Sequence, residues 1–99
     1  MDFNKYRDEL ADGKTVQFRP RGNSMIPKIY SGNLITVEPI SKHNLQVKDI
    51  VFCKVNGTFY VHLITGISDK GYQISNNKNH VNGIIKLSQI FGKVTRVEQ

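Results

Sequence analysis

Asn56-Gly57 constrains this chain more than any other pair of residues, because it joins two runs built of strand-forming residues between Ile50 and Ile67. A two-residue Asn-Gly loop favours a type I′ turn, since both central residues need positive φ and the turn's twist matches that of the strands. The predicted hairpin sets Val55 opposite Thr58, Cys53 opposite Tyr60 and Val51 opposite His62. Directly opposed residues share one face of a strand pair. His62 therefore projects beside Val51, Tyr60 and Ile64, from a largely apolar face. A histidine placed there loses water, which lowers its pKa and favours the neutral, proton-accepting ring. Such a ring suits a general base, and equally suits a core histidine bonded to a carbonyl.

The rest of the chain continues in short strands. Residues 2–12 read as one helix: Asp2 can cap it, Phe3, Tyr6 and Leu10 recur at helical spacing, and Gly13 supplies the stop. Val16 and Phe18 alternate with polar neighbours up to Pro20, and a loop from Arg21 to Ser31 follows, punctuated by Pro27 and Gly32. Asn33 to Ile40 is a strand, and Ser41 to Lys48 a polar connector. Beyond the hairpin, Asp69-Lys70-Gly71 turns the chain into Tyr72-Gln73-Ile74. An asparagine-rich loop, Ile84-Ile85, a turn over Leu87–Ile90 and a last strand from Gly92 to Val97 complete it. The expected fold is mainly β: a coiled, partly closed antiparallel sheet with one short N-terminal helix. Residues 1–99 are expected to form one domain, with the helix over 2–12 and the β core over 14–98.

Composition narrows the partners. A chain of 99 residues supports a single core. A mean hydropathy of −0.37, with no apolar run near the roughly 18 residues of a membrane span, predicts no span. The mixed charge of Met1 to Glu9 and the single cysteine, Cys53, point to the cytoplasm. Cys53, opposite Tyr60, reads as a packed thiol. The net charge of +6 permits nucleic acid, but the basic residues are scattered and only Arg19-Pro20-Arg21 is concentrated, so nucleic acid is not the expected partner. His43 and His80 share no ligand-like spacing with Cys53, and neither a metal nor another cofactor is expected. Asp49 reads as a turn residue at the base of the hairpin.

The chemistry concentrates in Gly22-Asn23-Ser24-Met25-Ile26-Pro27. A serine hydroxyl is a poor nucleophile at neutral pH unless a base lies within hydrogen-bond reach. After this segment come Gly32-Asn33-Leu34-Ile35-Thr36-Val37, Lys48-Asp49-Ile50-Val51-Phe52, Val61-His62, Ser75-Asn76-Asn77-Lys78, Asn82-Gly83 and Ile90-Phe91-Gly92-Lys93-Val94. In this order and spacing the segments resemble the S24/S26-like catalytic domain shared by type I signal peptidases and the self-cleaving LexA/UmuD-type repressor peptidases, over roughly Val16 to Val97.

The resemblance implies the coiled sheet of the signal-peptidase/LexA C-terminal type and a small serine endopeptidase acting on an extended peptide. Ser24 would be its nucleophile. Relatives carry lysine or, in the archaeal and endoplasmic-reticulum signal peptidases, histidine at the base position; His62 stands there. In the histidine version an aspartate assists the base, and both candidate positions here hold asparagine, Asn76 and Asn82. Asn23 would help the backbone bind the oxyanion, Met25 would pack under the loop, and Pro27 would fix its exit. An exposed strand edge at Ile35, Val37 and Tyr60 would receive the peptide, with small side chains before the scissile bond. The alternative is a catalytically degenerate relative that binds protein or dimerises through an exposed strand edge.

Overall fold

The computed structural model describes residues 1–99. Helix α1, Phe3–Ala11, begins where the Asp2 side chain accepts a hydrogen bond from Lys5 N and ends in a turn through Gly13 at φ +84°. Its apolar stripe of Phe3, Tyr6 and Leu10 lies on the sheet, and Leu10 is buried. The seven strands are β1 Val16–Phe18, β2 Leu34–Pro39, β3 Ile50–Val55, β4 Thr58–Ser68, β5 Gly71–Ser75, β6 Val81–Ile85 and β7 Ile90–Glu98. Single 3₁₀ turns occupy Ile40–Lys42 and Leu87–Gln89.

All neighbouring strands pair antiparallel, in the order β1-β2-β7-β3-β4-β5-β6. The sheet is not closed, because β1 and β6 are both ends of that order. The hairpin has its predicted register, with Val55 opposite Thr58, Cys53 opposite Tyr60 and Val51 opposite His62. Asn56 and Gly57 both take positive φ, +50° and +82°, as a type I′ turn demands.

Side chains alternate across the pleat into two clusters. Phe18, Met25, Ile29, Ile35, Val37, Phe52 and Leu63 bury one face under α1, while Val51, Cys53, Val55, Ile64, Ile74, Ile85 and Ile90 fill the other. Phe52 is the pivot of the first cluster, with the rings of Phe3, Phe18, Phe59 and Phe91 centred 5.3–5.9 Å away. Irregular registers in β4–β5 and β5–β6 add the bends that coil a sheet. The coil carries β6 back over β3, close enough that a Cβ on Gly83 would stand 3.0 Å from Val55 Cγ1. No helix is long and apolar enough to cross a membrane.

The expected peptide-receiving edge at Ile35 and Val37 is absent. Strand β2 is paired on both sides, by β1 and β7, and both side chains are 0% exposed. The edge that the resemblance implied there is the inward face of an interior strand.

Candidate active site

Between β1 and β2 the chain closes a compact loop whose ends are tied together. Gly32 N donates to Pro20 O at 2.9 Å, Gly22 N donates to Ser31 Oγ at 3.2 Å, and Arg19 Nη1 donates to Gly32 O at 2.8 Å. Lys28 N and Ile29 N both donate to Met25 O, a single helical turn that drops Met25 and Ile29 into the core. Met25 thus packs under the loop, and Ser24 is held at its rim. A second loop grips this one: Asn77 N donates to Ser24 O and Asn77 Nδ2 to Ile26 O, each at 2.9 Å.

Ser24 Oγ lies 3.0 Å from His62 Nε2, although the two residues stand thirty-eight positions apart. On the other side of the ring, His62 Nδ1 is 2.7 Å from Asn82 Oδ1. An amide oxygen has no proton to give, so Nδ1 carries the hydrogen and donates it. Nε2 then keeps its lone pair and accepts the Ser24 hydroxyl. His62 is 5% exposed, and Tyr60 packs against its ring with centroids 4.7 Å apart. Burial pushes the His62 pKa below its ordinary value of 6.5, His80 adds to the lowering, and the Asn82 bond works against it.

Asn82 reaches His62 only because the sheet coils; in hydrogen-bonded order β5 lies between their strands. Asn76, the other position where the resemblance implied an acid, makes no hydrogen bond to the imidazole. Its Oδ1 accepts from Lys78 N and His80 N, which shapes the loop. Both asparagines line the cleft with Ser24 and His62. Asn23 precedes Ser24 in an exposed bend, with its carbonyl accepting from Ile26 N.

The cleft encloses about 410 Å³, and its apolar wall includes Phe3 from α1, Met25, Ile29, Phe52 and Phe59. Of the three residues expected at the substrate edge, only Tyr60 lines it. Strand β4 has an unpaired stretch there, because β5 pairs with it only from Leu63 onward. Thr58 to His62 therefore hydrogen-bonds to β3 on one side alone.

Other singled-out residues lie elsewhere. Cys53 is fully buried, and burial pushes its thiol pKa up to about 12. His43 Nε2 bonds Glu38 Oε1 at 3.0 Å. Asp49 accepts from Gln46 N within its turn and pairs with Lys93 of β7 at 3.4 Å. No group of three histidine, cysteine or acidic side chains is placed to hold a metal. Sequence reasoning missed Asn77, Phe3, Phe59 and Arg21 as parts of this site. Asn77 offered a signal, since it sits in the quoted Ser75-Asn76-Asn77-Lys78 segment, but nothing local says which asparagine faces the serine loop.

A family model described as Peptidase S24-like matches residues 3–95. No curated protein matches the chain.

Proposed function

The chain belongs to the Peptidase S24-like family, and from that premise we propose that it is a cytoplasmic serine endopeptidase with Ser24 as nucleophile and His62 as general base. The observation that carries this reading is the 3.0 Å approach of Ser24 Oγ to His62 Nε2, with Asn82 holding the opposite nitrogen. Lowered by burial, the imidazole is neutral at neutral pH and ready to accept a proton.

An extended peptide adds as a strand along the free edge of β4 at Thr58 to His62, which takes over the role first expected of Ile35 and Val37. Ser24 Oγ attacks the carbonyl carbon as its proton passes to His62 Nε2. The backbone N–H groups of Asn23, Ser24 and Met25 donate to no backbone acceptor, which leaves them free for the developing oxyanion. When the tetrahedral intermediate collapses, His62 gives its proton to the departing amine, and an ester remains on Ser24. Water then attacks the ester, losing a proton to His62, which returns it to Ser24 as the acid product leaves.

The test is labelling by a fluorophosphonate probe, read by intact mass. Wild type is expected to gain one adduct, Ser24→Ala none, and His62→Ala at a rate reduced by about 10³-fold or more. Wild type that stays unlabelled from pH 6 to 9 would leave a binding module in place of an enzyme.

A further inference from the structure

The wall of the cleft carries one permanent charge. Among its lining residues Arg21 is the sole arginine or lysine, and none is acidic. Arg21 is exposed and stands three residues before Ser24. Its Nη1 lies 3.9 Å from where a Cβ on Gly32 would be, and Arg19 donates to the carbonyl of that same Gly32. Both exposed guanidinium groups thus lie near one glycine of the loop, and of the two arginines Arg21 lines the cleft. The four ion pairs of the molecule, Arg7–Asp8, His43–Glu38, Lys93–Asp49 and Arg96–Glu98, involve neither. Neither guanidinium has an acidic partner, so an anion bound there meets no competing counter-ion. A guanidinium offers paired N–H donors that match a carboxylate. The net charge of +6 adds a field that draws acidic ligands toward the surface.

We propose that Arg21, supported by Arg19, forms an anionic subsite that selects peptides with an aspartate or glutamate beside an apolar residue. The carboxylate lies on the Gly32 loop, and the apolar neighbour enters the wall of Phe3, Phe52 and Phe59. This deepens the peptidase reading by naming its substrate class, and rests on the same cleft.

Binding to the Ser24→Ala protein tests it without any need for turnover. Positional-scanning decapeptides, each with one fixed residue, are measured by fluorescence polarisation at low and at 0.5 M salt. At one position aspartate and glutamate should bind about tenfold more tightly than asparagine and glutamine, with lysine weakest. That preference should collapse to about one in Arg21→Gln and shrink in high salt. Equal binding of acids and amides at every position would overturn the subsite while leaving the peptide cleft standing. So would an acidic preference that survives Arg21→Gln. No binding by any peptide would overturn the subsite and the peptide-binding cleft together, whereas fluorophosphonate labelling reports separately on the nucleophile.

Discussion

Asn82 Oδ1 accepts the Nδ1 proton of His62 at 2.7 Å, so the ring's free lone pair faces Ser24. In the proposed mechanism the ring takes the serine proton, and the resulting imidazolium meets a neutral amide where the resemblance puts an aspartate. The amide secures the tautomer but supplies no counter-charge. Losing the acid of a serine triad costs about 10⁴ in rate, part of it through the wrong tautomer, which Asn82 avoids. Asn82→Asp should therefore raise kcat/KM by about 10²-fold or more. The same change should move the acid limb of the pH profile upward, because a carboxylate stabilises the charged ring. In wild type that limb should lie below 6.5, the side to which burial moves His62. Rates of one peptide or probe across pH 4–9, for both proteins, check size and direction together. An unchanged limb in Asn82→Asp would mean that His62 is not the titrating base. At this scale the approach of Ser24 to His62 was readable from the Gly22-Asn23-Ser24 segment and from the hairpin register that places His62. The sequence could not choose between Asn76 and Asn82, because that choice depends on where the sheet curls.

Elements explain what local patterns could and could not reveal. Asn56-Gly57 sets its own turn and hence the whole β3–β4 register, a consequence of neighbours in sequence. The status of β2 is different: Ile35 and Val37 alternate as any half-buried strand would, and only the distant β7 makes it interior. The β2–β7 contact is also close. A Cβ on Gly92 would stand 2.5 Å from Val37 Cγ1 and 2.8 Å from Glu38 O, so Gly92→Ala forces backbone or side chain to yield. Overpacking of this kind costs about 1–3 kcal/mol, which urea denaturation should read as a lower midpoint. Asn77 ties two loops instead of two strands. Asn77→Ala removes the bond to Ile26 O, a loss of about 1 kcal/mol, but leaves the backbone bond to Ser24 O in place. Its larger effect should be kinetic, since a misplaced nucleophile can cost about 10²-fold in rate. Probe-labelling rates set beside melting curves separate the two effects. A labelling rate equal to wild type would make Asn77 a structural tie alone.

At the scale of the whole molecule, the coil that brings β6 over β3 seals His62 within the fold, and so couples folding to pH. In the unfolded chain the ring titrates near its ordinary 6.5; in the folded one, burial holds its pKa lower. Between those two values the unfolded chain binds more protons, and stability rises with pH. The contribution is complete above 6.5 and is lost as pH falls through the folded value. Glu38 acts in a lower window. Its hydrogen bonds from His43 and Thr95 hold its pKa below 4.5, so its stabilising effect is present above 4.5 and disappears further down. Acid destabilisation should therefore set in as pH falls below 6.5, before carboxylates outside such contacts protonate. We expect one cooperative transition for residues 1–99, with a midpoint in urea that declines below that pH in wild type. In His62→Gln, which keeps a polar side chain but no titrating ring, the midpoint should stay flat until the Glu38 window. Equal declines in both proteins would assign the acid sensitivity to another group, and would separate the buried imidazole from the stability of the sheet that surrounds it.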